Sequence, residues 1–428
     1  MTFDHFKHWK RCDQLLALVS CGIVLISCID IVRYILLTQP VALLSMLAVN
    51  VLFILCALAA FSGRVPPLYL AVTALSCVLF SMTNNLETTM FNFTFAIQAA
   101  ISAVGAAGGT VLCLASREKP RKIVTPFLTA ALALAVIWAG VWGVGTAIDK
   151  GKTVASRNLW AVPTVFDSQE CPQPGTLERL DYSTCAYATD GRTVEKSAYV
   201  YLPYGYSADK PYNILYLLHG TGDDEEYWLK RNPYNKTMVD NMIYRGEIEP
   251  LIIVTPTFYV EDDCLDGLDP LTYSFKEELR NDLMPAIEGK YSTFAVTADD
   301  AGFIQSREHR AFAGLSRGAV TTLHSVFTGC LDQFSTFGTF SASRTPLAYF
   351  QETIQSEKFK NYPIAYWYVA SGAFDFGLKS QIDDYRALLP QEPRLMPGEN
   401  TAFDVYPMRY HSMGNWHLAL YNFLLQIF

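Results

Sequence analysis

The chain has 428 residues, of which 51% are hydrophobic and only 17% charged, and its mean hydropathy is +0.17. That balance is too apolar for an ordinary soluble enzyme along its whole length, and the 13% aromatic content excludes a disordered chain. The charge is uneven: residues 1–150 carry 10 Lys/Arg against 6 Asp/Glu, whereas residues 151–428 carry a net charge of −12. Two differently solvated parts are therefore expected, and the acidic second part disfavours nucleic acid as a partner because it repels phosphate.

The first third contains five apolar stretches, roughly Gln14–Leu37, Val41–Phe61, Pro66–Met82, Phe93–Ala115 and Val124–Ala147. About 20 residues suffice for a helix to cross the hydrocarbon core, so residues 1–148 read as a five-helix transmembrane region with the bilayer as its partner. Basic residues sit at the N-terminus (Lys7, Lys10, Arg11), in the second loop (Arg64) and in the fourth (Arg117, Lys119, Arg121, Lys122), and are absent from the first and third loops. This alternation predicts a multi-pass protein of the cell membrane with its N-terminus inside and everything after Ala147 extracytoplasmic. Asp30 and Arg33, at i, i+3 spacing, read as a structural pair, and Gly105–Gly109 as close helix packing.

Residues 149–174 are polar and contain Pro163, Pro172 and Pro174, the composition of a linker. An oxidising exterior would permit a Cys171–Cys185 bridge, although spacing alone does not establish one. No C-x-x-C or histidine-rich cluster suggests a metal, and no organic cofactor is implied.

From residue 175 the texture changes. Ser197–Leu202, Ile214–Leu218, Leu251–Thr255 and Tyr366–Ala370 read as strands. Phe275–Lys290 reads as a helix with Leu279, Leu283 and Ile287 on one face, and Trp416–Phe428 as the last helix. Alternation of this kind predicts a mostly parallel sheet flanked by helices over residues 175–428.

The decisive segment is Gly314-Leu-Ser-Arg-Gly318, with a short apolar strand before it and a helical stretch after it. That is a G-x-S-x-G nucleophile elbow in its required context, a turn tight enough to need small residues beside the serine. Ser316 is the candidate nucleophile. In the chain order Ser, acid, His, the candidate base is His411, on a polar loop before the last helix; His417, inside that helix, is the alternative, and His324 in the elbow helix reads as structural. Asp375, just past the strand 366–370, is the candidate acid, while Asp383 and Asp384 read as surface charges. The oxyanion hole is expected from the backbone N–H groups of Thr221 or Gly222, in the glycine-rich loop after Leu217-Leu-His219, and of Arg317. His219, Trp228, Tyr259 and Trp416 are candidate substrate-contacting residues, with loop fixation a second role for His219.

Taken together, Tyr201–Tyr206, Tyr216–Gly222, Gly246–Phe258, Phe275–Arg280, Lys290–Ala295, Arg307–Thr322 and Gly329–Phe334 resemble the putative-esterase family of α/β-hydrolases. Within it they are most similar to carbohydrate esterase family 1 and the feruloyl esterase modules of bacterial xylanases. The resemblance covers about residues 175–428 and implies an α/β-hydrolase fold, no metal, and a triad falling on Ser316, Asp375 and His411. One departure is Arg317, where many members carry methionine; its side chain either binds an acidic substrate or faces outward. The reading that follows is a membrane-anchored extracytoplasmic serine esterase acting on small-molecule or glycan esters, feruloyl or acetyl esters of carbohydrates among them. The alternative is an envelope acyltransferase of the mycolyltransferase type using the same triad; a non-catalytic receptor on the same fold is a third reading, of a different class.

Overall fold

The computed structural model describes residues 10, 11, 13, 14, 18, 21, 143–260, 267–373, 375–407 and 409–428. The chain divides into two compact units, Met1–Gly145 and Thr146–Phe428. The membrane expectation is corrected: among the described residues no helix is long and apolar enough to cross a membrane. The five-helix transmembrane region, the multi-pass and extracytoplasmic localisation and the bilayer partner therefore lose their support. The apolar stretches, the loop charges, Asp30, Arg33 and Gly105–Gly109 lie almost entirely outside the described residues. The physical reason is that an apolar run dictates an apolar surrounding; it does not dictate that the surrounding is lipid rather than protein.

The second unit is built on eight strands: β1 (Thr176–Cys185), β2 (Thr193–Leu202), β3 (Asn213–Leu218), β4 (Leu251–Thr255), β5 (Arg310–Leu315), β6 (Thr336–Phe340), β7 (Tyr366–Gly372) and β8 (Thr401–Tyr406). They form one sheet in the order β1-β2-β4-β3-β5-β6-β7-β8. The pairs from β4 through β8 are parallel, and the β1–β2 hairpin joins antiparallel at the β4 edge. This is an α/β-hydrolase-like sheet. Its interior strands are buried on both faces, which is why β4 is buried throughout and runs Leu-Ile-Ile-Val before Thr255 instead of alternating. Along β3, Ile214, Tyr216 and Leu218 enter one core, and Leu215 and Leu217 the other.

The strand order reverses at β3: the chain moves outward to β4, then returns to β5 on the other side. Such a reversal opens a crevice at the carboxyl ends of the two strands. The β3–β5 register pairs Leu218 with Gly314, so the loop after β3 and the turn after β5 leave the sheet side by side. At the opposite end of β5, Arg310 is buried and fully satisfied: it donates to both oxygens of Glu288 at 2.8 Å and to the carbonyls of Phe303 and Gln333 at 2.9 and 2.7 Å. Removing one partner from such a pair costs about 3–5 kcal/mol, because the other charge is left stranded.

The expected helix over 275–290 is a helical run of Phe275–Glu278, a π-helical turn Leu279–Leu283 and Met284–Glu288, with Leu279, Leu283 and Ile287 fully buried. The last helix starts three residues earlier than expected, at Met413. Residues 149–174 differ from the expected linker. They lie docked along the last helix and β8: Asn158 exchanges two hydrogen bonds with Asn422 (2.9 and 2.7 Å), Arg157 pairs with Asp404, and Phe166 is buried beside Tyr421. Polar composition suggested a free tether, but these polar groups find partners some 250 residues away in sequence. Cys171 and Cys185 are both free.

Candidate active site

The elbow follows from steric necessity. Ser316 has φ 51° and ψ −118°, a conformation that costs free energy and persists only where the surroundings enforce it. They do: the Ser316 N–H donates to the Phe340 carbonyl at 2.7 Å, and its carbonyl accepts from Ala319 and Val320 at 3.0 and 3.2 Å. A Cβ at Gly314 would lie 2.4 Å from the Gly318 carbonyl carbon, and one at Gly318 would lie 2.4 Å from the His219 carbonyl oxygen. Both glycines of the motif are thus required by close approach of backbone.

The structure brings Ser316, His411 and Asp375 together. His411 Nε2 lies 2.9 Å from Ser316 Oγ, and its Nδ1 lies 2.8 Å from Asp375 Oδ1. A carboxylate only accepts, so Nδ1 carries the proton and Nε2 of the neutral ring is left to accept from the serine hydroxyl. Asp375 is fully buried; its Oδ1 also accepts from the Gly377 N–H at 2.7 Å, and its Oδ2 from Asn415 Nδ2 at 3.1 Å. Asn415 and Trp416 Nε1 both donate to Ser341 Oγ at 2.7 Å. These supports, Asn415 and Ser341, were missed in the sequence. The only trace of them was Asn415 at one turn's spacing from His411 at the start of a helix.

The four candidate substrate contacts divide. His219 is fully buried: Nδ1 donates to the Gly220 carbonyl at 2.7 Å, and Nε2 accepts from Thr257 Oγ1 at 2.8 Å. Trp228 is buried, with Nε1 on the Leu218 carbonyl at 3.0 Å. The polar atoms of both are engaged within the fold, Trp228 at the end of β3 and His219 between Gly220 after β3 and Thr257 after β4. Trp416 is buried with its ring edge-on to His411, 5.0 Å between centroids, so it packs the candidate base. Tyr259 lines a cavity of about 740 Å³ beside the glycine-rich loop, with Gly222, Asp223 and Thr257 in the same wall. Its hydroxyl accepts from the Gly222 N–H at 2.9 Å. Burial pushes the Asp223 carboxyl in that wall up to about 6.

Of the other histidines, His417 faces away from Ser316: its Nδ1 lies 2.6 Å from Asn235 Oδ1, and its Nε2 lies 3.6 Å from Asp167, beyond hydrogen-bond reach. His324 is sandwiched between Tyr273 and Tyr349, at centroid distances of 3.6 and 4.4 Å. The Arg317 guanidinium pairs with Asp269, which Arg344 shares. Asp384 is no surface charge: it accepts from Ser343 Oγ and from the Thr345 N–H. Among the described residues no group of three His, Cys, Asp or Glu is placed to hold a metal.

Burial pushes His219 down from 6.5 to about 4, because desolvation penalises the imidazolium. The folded value lies below the unfolded one, so the stability contributed by the neutral ring is complete above 6.5 and is lost as pH falls toward 4. His324 is pushed to about 4 for the same reason and adds to the same window. The urea midpoint should therefore fall between pH 6.5 and 4. His219→Gln, which keeps a donor and an acceptor but cannot charge, should flatten part of that fall; equal slopes for the two proteins would contradict this account.

The fold is of the α/β-hydrolase class, and Ser316, His411 and Asp375 stand together at the carboxyl end of its sheet. The family described as Putative esterase matches residues 194–366 of the chain. Residues of the chain are 39% identical over 167 positions to endo-1,4-beta-xylanase Y of Acetivibrio thermocellus, covering 39% of this chain and 14% of that protein. They are 32% identical over 133 positions to endo-1,4-beta-xylanase/feruloyl esterase of Xylanibacter ruminicola, covering 30% of this chain and 17% of that protein. The chain thus matches a minor part of each relative's length. A serine-to-alanine mutant of the feruloyl esterase module from Clostridium thermocellum, complexed with sinapinate, superposes with a TM-score of 0.55 at 28% identity, over 65% of this chain and 95% of that one.

Proposed function

We propose that the Thr146–Phe428 unit hydrolyses carboxylic esters, feruloyl or acetyl esters of carbohydrates, with Ser316 as nucleophile, His411 as base and Asp375 as orienting acid. The observation that carries this reading is the unbroken hydrogen-bond chain from Asp375 through His411 to Ser316 Oγ at the tip of a strained elbow. The likeness to the feruloyl esterase module supports the acyl class.

In this scheme His411 Nε2 takes the hydroxyl proton as Ser316 Oγ bonds to the ester carbonyl carbon. Asp375 stabilises the resulting imidazolium. The tetrahedral oxyanion is held by the N–H groups of Arg317 and Thr221, in a crevice where fixed donors are worth far more than in water. Gly222 is the weaker candidate, because its N–H is already taken by the Tyr259 hydroxyl. Collapse of the intermediate breaks the C–O bond to the alcohol, which leaves with the proton from His411. Water, deprotonated by the same nitrogen, then attacks the acyl-enzyme, releasing the acid and regenerating Ser316.

The test is incubation of the full chain with feruloyl, acetyl and longer acyl esters, with products separated by chromatography. Free acid and free alcohol in equal amounts are expected. A new ester formed with an added sugar, in place of free acid, would convert the reading to acyl transfer. Failure to turn over any ester would overturn it.

A further inference from the structure

The loop that carries His411 joins β8, ending at Tyr406, to the last helix, starting at Met413. Ring contacts orient the imidazole: Phe376 lies 3.8 Å away and the edge of Trp416 5.0 Å away, between centroids. On the loop backbone the Arg409 N–H meets the Tyr406 carbonyl at a long 3.4 Å, and the Ser412 carbonyl accepts from Asn415 and Trp416 at 2.9 and 3.3 Å. The side chain of Arg409 ties the loop to a different segment. Its Nη2 donates to the Trp160 carbonyl at 2.6 Å.

Arg409 also touches both elements that flank the triad. A Cβ at Gly372, the last residue of β7 before Asp375, would lie 2.2 Å from the Arg409 carbonyl oxygen; one at Gly414, in the first turn after His411, would lie 3.0 Å from Arg409 Nη1. The acceptor is itself immobilised. The N–H groups of Trp160 and Ala161 donate to Oδ2 of buried Asp149 at 2.8 and 3.2 Å, and Lys152 pairs with Asp149 at 2.9 Å. Among the described residues no carboxylate pairs with the Arg409 guanidinium, and its burial beside a neutral carbonyl lowers its pKa. The half-buried guanidinium is thus held by a neutral carbonyl with no opposite charge to offset its desolvation.

We propose that Arg409 is the positioning residue for His411, latching the histidine loop to the docked 149–174 segment and thereby setting the distances from His411 to Ser316 and Asp375. This rests on the triad reading above. Those distances, 2.9 and 2.8 Å, leave no slack, and a displacement of about 1 Å in such a constellation costs about 100-fold in rate. The segment before the esterase-family match is thus part of what makes the base competent.

The test compares Arg409→Ala and Arg409→Lys with wild type in the full chain. Arg409→Ala should lower kcat about 10–100-fold with KM within about twofold. Arg409→Lys, which keeps the charge and most of the reach, should recover the larger part, and millimolar guanidinium should partly rescue the alanine variant. Where Arg409→Ala fails to fold, Asp149→Asn loosens Trp160 without touching the loop, and it should lower kcat in the same direction. The downfield proton NMR signal of the His411 Nδ1–H provides a readout independent of any substrate: it should be sharp in wild type and broadened in Arg409→Ala. A folded Arg409→Ala protein with wild-type kcat and an unchanged signal, or one whose loss lies wholly in KM, overturns the latch. Wild type that hydrolyses no ester while the signal still broadens in the variant would remove the esterase reading and leave the latch standing.

Discussion

Ser316→Ala is expected to lower kcat by about 10⁶, the loss that triad nucleophiles show, while leaving the protein folded. The effect on chemistry is large because Ser316 carries the hydroxyl that His411 Nε2 can deprotonate. The Ser341 hydroxyl, by contrast, is buried and accepts from both Asn415 and Trp416. The effect on folding is small because the hydroxyl's hydrogen bond is to His411 Nε2, whereas the backbone bonds that enforce the strained turn involve atoms alanine retains. Alanine pays the same conformational cost at φ 51° as serine does. A fluorophosphonate probe gives the direct measurement: wild type should be labelled and the mutant not. Labelling of both to the same extent would remove Ser316 from the role of nucleophile, whatever the ester assays report.

The sequence exposed the parts of this site that are sterically over-determined and hid those that depend on long-range contact. The elbow was legible because only glycine fits at 314 and 318, a constraint written into five consecutive residues. The interior strands were legible because burial on both faces demands runs such as Leu251–Thr255. The β1–β2 hairpin was only half seen: β1 is an edge strand of mixed exposure, and Thr176–Cys185 carries no continuous apolar run. The chain order of Ser, Asp and His pointed to Asp375 and His411, but nothing local to Asp375 announces that Asn415 and Ser341 hold it. Trp228 illustrates the opposite error. Its nearness to the glycine-rich loop in sequence says nothing about direction, and the indole turns inward to the Leu218 carbonyl. The docked segment 149–174 was misread for a related reason: Arg157 and Asn158 look like solvated linker residues until their partners in β8 and the last helix are known, and Asp149 until the N–H groups of Trp160 and Ala161 are seen to fold back onto it. The first third was read from hydropathy and loop charge, and hydropathy dictates an apolar surrounding without dictating that it is lipid.

His411→Ala should abolish acylation about as completely as Ser316→Ala, because the members of a triad act as a unit. His417 is the natural control, six residues further on and in the helix that follows. The geometry separates the two. His411 spans Ser316 and Asp375, whereas His417 Nδ1 donates to Asn235 Oδ1 at 2.6 Å on the far side of that helix and its ring meets the edge of Tyr234. His417→Ala should therefore cost stability, about 1–3 kcal/mol for leaving the buried Asn235 oxygen without its donor, and little of the turnover per folded molecule. Asp375→Asn belongs in the same series: it should lose about 10⁴ in kcat, because an amide in that place no longer enforces the tautomer with the proton on Nδ1. The measurement is the acylation burst on an activated ester, made on variants whose folding has been checked by circular dichroism. A folded His411→Ala protein that bursts at a rate near wild type, beside a silent His417→Ala, would transfer the role of base to His417 and break the hydrogen-bond chain on which the esterase reading rests.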